Sequence, residues 1–392
     1  MSTSTELRHA ARGLDPERVV RALDQAFAAW RAPGSRWRQR LAEALELYSA
    51  EVLEEGILRG LEHWNAEALR TIRSREISGH VRAPELTAVF LAGSIPPAAF
   101  SAIALPLLAG SAVYVRPSSS DSHGPALFAA SLADADPVVG ACVALGQDER
   151  LLDQADAVVA YGRDETLESV RARVPAAHIF VGYGHRISVA AVGREADLAA
   201  AAEQVARDVS LYDGRGCLSP AYVLVDDAPR GRARALAEAL AEALEDLRGK
   251  LPRGRLQPGE EAALHELRAT HAMSEATRSW LSRNGTDWGV LLGVEGIRPP
   301  PGLLRNVPVI PVTGSQGLAR WCTGLAPHLS SLAVGGWPDP AGSLARIGLQ
   351  GGASRLCALG ALQLPRLEWR HDGRGAIEPL LRSLDVEPEG AR

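Results

Sequence analysis

Cysteine is scarce in this chain: Cys142, Cys217, Cys322 and Cys357 are the only four in 392 residues, and no two form a CxxC pair. That excludes a disulfide scaffold and a structural zinc site, and it makes a reducing, cytoplasmic compartment the expectation. The first residues, MSTSTELRHAARGL, lack the apolar stretch of a secretory signal, so no signal peptide is expected. A basic face is missing too. The formal net charge is -5 and the pI is near 6.1, whereas binding a phosphate backbone needs concentrated Lys and Arg, so nucleic acid is excluded as a main partner. The remainder is ordinary globular composition, 46% hydrophobic and 23% charged, in a length that suits two or three domains.

One long stretch has no charge at all. Residues 86 to 115, LTAVFLAGSIPPAAFSAIALPLLAGSAVYV, are enough to cross a bilayer. Gly93, Pro96, Pro97, Pro106 and Gly110 nevertheless divide them into an apolar run, a turn, a helix near 97 to 108 and a second apolar run. A span broken in this way leaves backbone groups unpaired in lipid. The pattern therefore predicts no membrane span but a buried strand-turn-helix-turn-strand unit of a parallel sheet, whose strands are apolar on both faces.

The same alternation continues on both sides. Residues 14 to 75 carry apolar positions at helical spacing, interrupted at Ala32-Pro33-Gly34-Ser35, and predict a helical N-terminal section. From 86 to 182, apolar runs (AVFLAG, SAVYVRP, VVGACVAL, ADAVVAYG, HIFVGYG) alternate with helices at about 122 to 133 and 164 to 173. That predicts an α/β fold with an open, doubly wound parallel sheet. Gly93, Arg116 and Gly162 fall at carboxyl ends of its strands, where such sheets bind ligands. A helix from about 195 to 210 then leads to Cys217, and YVLVDD opens a second α/β section with a long helix at about 229 to 248, a Pro- and Gly-rich loop at 294 to 303, and strands VPVIPV and SSLAVGG.

Cys217 lies in Asp213-Gly214-Arg215-Gly216-Cys217-Leu218-Ser219-Pro220. A working thiol needs a cation, a helix end or backbone donors beside it, since few free thiols are ionised at neutral pH. This stretch offers two glycines that let the backbone turn and Arg215 as a nearby cation. The plain alternative is a small buried core residue, because free cysteine is among the most buried types.

Several stretches, in order, resemble one family. AGSIPP, VYVRPSSSD, VVAYGRDE, FVGYGHRIS, DGRGCLSP and SRLCALGALQLPRLEWRHDG are similar to the aldehyde dehydrogenase superfamily, and more narrowly to its LuxC-like fatty acyl-CoA reductase branch, which makes aldehyde for bacterial luminescence. The similarity covers roughly residues 80 to 380. It implies an aldehyde dehydrogenase-like α/β fold: an N-terminal helical section (1 to 78), a Rossmann-like nicotinamide-binding domain (79 to 190), a catalytic domain (191 to 365) and a tail (366 to 392).

The resemblance further implies that Cys217 attacks an acyl-CoA or acyl-protein thioester, and that hydride from NADPH, with NADH the alternative, reduces the bound acyl group to aldehyde. An acyl-protein synthetase-type partner and a homo-oligomer belong to the same expectation. Oxidising relatives place a water-activating Glu where this chain has Gly182, in Gly182-Tyr183-Gly184-His185-Arg186, so the acyl-enzyme is expected to meet a reductant before water. His185 is a candidate to polarise a carbonyl or touch the cofactor, and a structural role is equally open. Arg116 stands where relatives have Lys on the adenosine ribose, and Ser119 where NAD-preferring relatives have Glu; with Ser118, these residues suit a 2′-phosphate. RPSSSD also reads as a strand end followed by a helix cap. Gly162 matches the glycine that passes the pyrophosphate. Ser94 replaces the family's oxyanion Asn, and loss of such a donor costs about 100 to 1000-fold. Trp369, His371, Asp372 and Gly373 match the family's Trp-His-His-Asp-Gly ending, with Arg370 for its first His, and are expected to pack the tail onto the catalytic domain. His328 is expected to be structural. Two other readings are a coenzyme A-acylating aldehyde dehydrogenase and a catalytically weak scaffold subunit.

Overall fold

The structure, a computed structural model, describes residues 4–93, 95–273, 277–283 and 285–387. Contacts divide the chain into two compact units, residues 1–44, 60–185 and 366–392 in one, and 45–59 and 186–365 in the other.

Five helices come first: α1 (Ser4–Ala11), α2 (Pro16–Arg31), α3 (Arg36–Ala44), α4 (Ala50–Gly60) and α5 (Ala66–Glu76). Asp15 starts α2 by accepting the Glu17 and Arg18 N–H groups (3.1 and 3.2 Å), and Pro16 at the first position gives up an N–H that the helix would leave unpaired anyway. After β1 (His80–Arg82) and β2 (Leu86–Phe90), the charge-free stretch forms α6 (Pro96–Ala109), which Gly110 ends in the left-handed conformation (φ 100°). No helix among the described residues is long and apolar enough to cross a membrane. β3 (Ala112–Arg116), α7 (His123–Ala135), α8 (Pro137–Gly140), β4 (Val143–Leu145), α9 (Leu151–Gln154), β5 (Ala157–Tyr161), α10 (Asp164–Arg173) and β6 (Ile179–Tyr183) follow.

The first unit is a five-stranded parallel sheet of order β4-β3-β2-β5-β6. α6 and α7 cover one face, with α2, α3 and α5 stacked outside them; α1, α9 and α10 cover the other. The aromatic residues Phe27, Trp30, Phe100 and Phe128 bind the two helical layers, and Trp30 Nε1 donates to the buried Ser131 Oγ at 3.0 Å. Two differences from the sequence reading are visible here. Residues 4–44 and 60–76 are not a section of their own, because α2 and α3 bury their apolar faces on α6 and α7. The apolar run VVGACVAL is split, because Asp136 caps a new helix with Pro137 at its first position and only Val143–Leu145 joins the sheet.

The second unit holds β7 (Ile187–Val192), α11 (Leu198–Ser210), β8 (Pro220–Asp226), α12 (Arg232–Arg248), α13 (Pro258–Ala272), β9 (Arg278–Leu281), β10 (Gly289–Leu292), β11 (Asn306–Val312), α14 (Gly314–Leu325), β12 (Leu329–Gly335), α15 (Ala345–Gln350) and β13 (Arg355–Ala358). Its sheet runs β13-β12-β7-β8-β11-β10-β9, parallel except for β9. Alternate side chains take opposite faces: Ala190, Val192, Val223, Val225 and Val309 pack under α11 and α12, while Val189, Ala191, Leu224, Ile310 and Val312 pack against α14 and α15. The tail returns to the first unit, where β14 (Arg382–Leu384) pairs antiparallel with β1.

Candidate functional site

In the first unit the chain runs from β2 outward through β3 to β4, then resumes on the other side of β2 with β5 and β6. That reversal makes the loops after β2 and β5 the switch point of the sheet, the place where doubly wound sheets take nucleotides. Gly93 lies on the first loop with φ 76°, and open space where a Cβ would stand. Gly162 lies directly after β5, and a Cβ there would meet Thr166 at 3.3 Å. Its N–H donates to the Tyr183 carbonyl (3.1 Å), beside Gly182 on β6.

The loop after β3 is tied to the loop after β2. Ser118 Oγ donates to the Gly93 carbonyl at 2.6 Å and accepts from the Asp121 N–H at 3.0 Å, and Asp121 then caps α7 through the His123 and Gly124 N–H groups. Ser119 is exposed between them. Arg116 ends β3 with its guanidinium over the Phe90 ring, 3.4 Å from a Glu149 carboxylate oxygen; its Nε is buried and has no hydrogen-bond partner. The other Glu149 oxygen pairs with Arg173. Glycines at the strand ends and a cation with an unused donor fit a nicotinamide dinucleotide.

Cys217 is exposed, three residues before β8. The other three thiols are unsuited to ionise: burial pushes Cys142 and Cys357 up to about 11 and Cys322 up to about 12. The backbone around Cys217 is pinned on both sides. Ser188 of β7, fully buried, donates to the Cys217 carbonyl at 2.9 Å, and Gln363 donates to Ser219 Oγ. Upstream, Tyr212, Asp213 and Gly214 are all left-handed (φ 51°, 54° and 69°), which costs roughly 1–2 kcal/mol for each residue that is not glycine.

The expectation that Arg215 supplies a free cation to Cys217 is overturned. Its guanidinium is buried against Tyr48, 2.9 Å from Asp213 and 2.8 Å from Glu260, so its charge is already neutralised by two carboxylates. The fully buried Asp213 also accepts from Arg305 Nε (2.8 Å) and from the Gly254 N–H (3.0 Å). Nothing in the local spacing pointed to Arg305, Ser188 or Gln363; of this group only Asp213 lies inside the stretch the sequence singled out.

The remaining expected residues fall as follows. Gly182 sits within β6, its carbonyl accepting from Arg374 Nη1 at 3.2 Å; an added Cβ would meet Phe180 at 3.0 Å and Leu167 at 3.4 Å, so packing also favours glycine there. His185 is exposed between β6 and β7. Ser94 lies outside the described residues. His328 pairs its carbonyl with the Ile187 N–H, a sheet contact. The tail is a correction: residues 366–392 belong to the first unit, not to the one that holds Cys217, because His371 stacks flat on Tyr183 (4.4 Å, 9°) and packs against Trp369 (4.6 Å), and Tyr183 stacks in turn on Tyr161. Burial in that stack pushes the Tyr183 hydroxyl up to about 12.

Two α/β units of this kind define the aldehyde dehydrogenase-like fold. A NAD-dependent benzaldehyde dehydrogenase from Corynebacterium glutamicum superposes with a TM-score of 0.72, at 15% identity, over 96% of this chain and 86% of that one. The glyceraldehyde-3-phosphate dehydrogenase GapN from Methanocaldococcus jannaschii, solved with NADP, gives 0.72 at 12% identity over 96% and 90%. Within that fold the chain belongs to the LuxC family of acyl-CoA reductases, whose pattern matches residues 25–383. It is 25% identical over 186 residues to long-chain acyl-protein thioester reductase 2 of Photobacterium leiognathi, a stretch that spans 44% of this chain and 38% of that relative.

Proposed function

We propose that this chain reduces an acyl thioester to an aldehyde through an acyl-enzyme on Cys217, with NADPH as reductant. The observation that carries the reading is Cys217 itself: an accessible thiol on a backbone fixed by Ser188, in a member of an acyl-CoA reductase family. The Cys217 sulfur forms a bond to the thioester carbonyl carbon, the bond to the donor sulfur breaks, and coenzyme A or a protein thiol departs with the proton. A bound reduced nicotinamide supplies the hydride that turns the acyl carbon into an aldehyde carbon. The Cys217 sulfur then leaves that carbon, and its thiol is restored by a proton.

In this reading Gly93, Gly162 and Gly182 let the dinucleotide approach the strand ends, Ser118 holds the two loops together, and Arg116 with Ser119 receives the 2′-phosphate. A phosphate there competes with Glu149 for Arg116, so the preference for NADPH over NADH rests on that exchange. Gly182 offers no carboxylate to activate water, which prolongs the acyl-enzyme. His185 is assigned to the carbonyl or the cofactor. The donor class follows two names: acyl-CoA from the family and acyl-protein thioester from the Photobacterium relative. The latter would bring an acyl-delivering protein partner.

The test is intact mass after incubation with acyl-CoA thioesters of several chain lengths. An acyl adduct is expected on the wild type and not on Cys217→Ala, and NADPH should discharge it with release of aldehyde. No adduct at any chain length refutes the reading; faster turnover of aldehyde, NADP+ and coenzyme A favours the acylating dehydrogenase direction.

A further inference from the structure

Left-handed residues gather at one place in the second unit. Of the six non-glycine residues with positive φ among the described residues, four are here: Tyr212 and Asp213 in the turn (211–214) that leads to Cys217, and Leu304 and Arg305 on the loop facing it. The two turns touch closely enough that a Cβ on Gly214 would lie 3.1 Å from the Arg305 nitrogen. Such conformations persist only where the surroundings impose them, and here the imposing groups can be named. Arg305, itself 3% exposed, donates two hydrogen bonds to one oxygen of Asp213 (2.8 and 2.5 Å) and a third to the Leu251 carbonyl (2.7 Å). The other Asp213 oxygen takes the Arg215 guanidinium (2.9 Å) and the Gly254 N–H (3.0 Å). Glu260 closes the ring on Arg215 from the N-terminus of α13.

We infer that the Asp213–Arg305 pair is a positioning latch: it holds the left-handed 212–214 turn and thereby sets the place of the Cys217 sulfur, without touching the substrate. This inference rests on Cys217 being the acylated residue. A latch is a costly way to stabilise a loop, since buried ion pairs contribute little net stability over apolar packing, whereas fixing a reacting atom repays a defined geometry. The latch also explains why Arg215 is not available to the thiol: it is part of the frame.

The experiment separates geometry from fold. In Asp213→Asn/Arg305→Gln both charges leave together, so neither is stranded in the interior. Acylation of Cys217 by acyl-CoA, followed by intact mass, is expected to slow about 100-fold, the effect of a displacement of about 1 Å at a reacting atom. Alkylation of Cys217 by iodoacetamide, which needs only an accessible thiol, is expected to stay within about threefold, because that reagent makes no demand on the frame. A folded double variant that acylates at the wild-type rate overturns the inference, as does an equal loss of both reactions. Should the double variant not fold, Arg305→Lys keeps the charge and loses the two-pronged grip; about tenfold slower acylation with unchanged alkylation is expected, and an unchanged acylation rate overturns the latch. Absence of acylation in the wild type would instead refute Cys217 as nucleophile.

Discussion

Gly56 in α4 sets up a sharp test of how tightly the nucleophile's surroundings are packed. A Cβ at this position would lie 2.6, 2.7 and 2.8 Å from Cζ, Oη and Cε1 of Tyr212. Ordinary carbon contacts need about 3.5 Å, so Gly56→Ala requires the ring to move by roughly 0.9 Å. Tyr212 is 1% exposed and has the Tyr48 ring against it edge-on at 5.8 Å, so the ring has no free side to take. Overpacking of this kind costs about 1–3 kcal/mol. Alanine returns about 1 kcal/mol of helix propensity, leaving a net loss on the order of 1 kcal/mol. For a unit of this size that lowers the melting temperature by about 2–4 °C. Because Tyr212 is the first residue of the left-handed turn before Cys217, the displacement also reaches the thiol, and acylation should slow on the order of tenfold or more. Gly259→Ala is the matched control: it adds the same methyl to the first turn of α13, where no atom lies within 4 Å. Thermal unfolding and acylation rates of the two variants, measured side by side, give the answer. If Gly56→Ala behaves like Gly259→Ala in both, the packing argument is wrong.

Two other perturbations probe separate parts of the molecule. Glu149→Gln removes the carboxylate that competes for Arg116; NADPH affinity by fluorescence quenching should rise by about threefold relative to NADH, and an unchanged ratio would remove Glu149 from cofactor choice. Asp208, fully buried under the Gly360 and Leu362 N–H groups (2.8 and 2.9 Å), is pushed up to about 7 by burial, so the folded state holds its proton where the unfolded chain, near 3.9, has lost it; stability present below pH 4 is therefore lost as pH rises to about 7, by up to roughly 4 kcal/mol. The melting temperature of wild type relative to Asp208→Asn should accordingly fall between pH 5 and pH 8, and a difference that does not change with pH would mean the two N–H groups hold the charged form.

What could be read in advance follows from how local each signal is. The strand and helix alternation of residues 86 to 182 was legible because buried parallel strands are continuous apolar runs, and Pro96 and Gly110 mark the ends of α6 in the chain itself. The one run misjudged there, VVGACVAL, carried its own correction in Asp136-Pro137, a cap and first-position proline. Cys217 stood out through its glycines. Its neighbours did not, because what fixes them is distance in space: Arg305 is 92 positions from Asp213, and Gln363 is 144 from Ser219. Charge roles fail for the same reason. Arg116 and Arg215 both look available in sequence, but each meets a carboxylate from another segment, Glu149 and Glu260; Arg215, held by Asp213 as well, is taken up by the frame, whereas Arg116 keeps an unpaired Nε. The left-handed turn is the deepest omission. Asp213 before Gly214 is a pair that tolerates positive φ, but Tyr212 has no such propensity, so its conformation is imposed from outside, and the residues that impose it become visible only when the loop at 304–305 is seen against the turn.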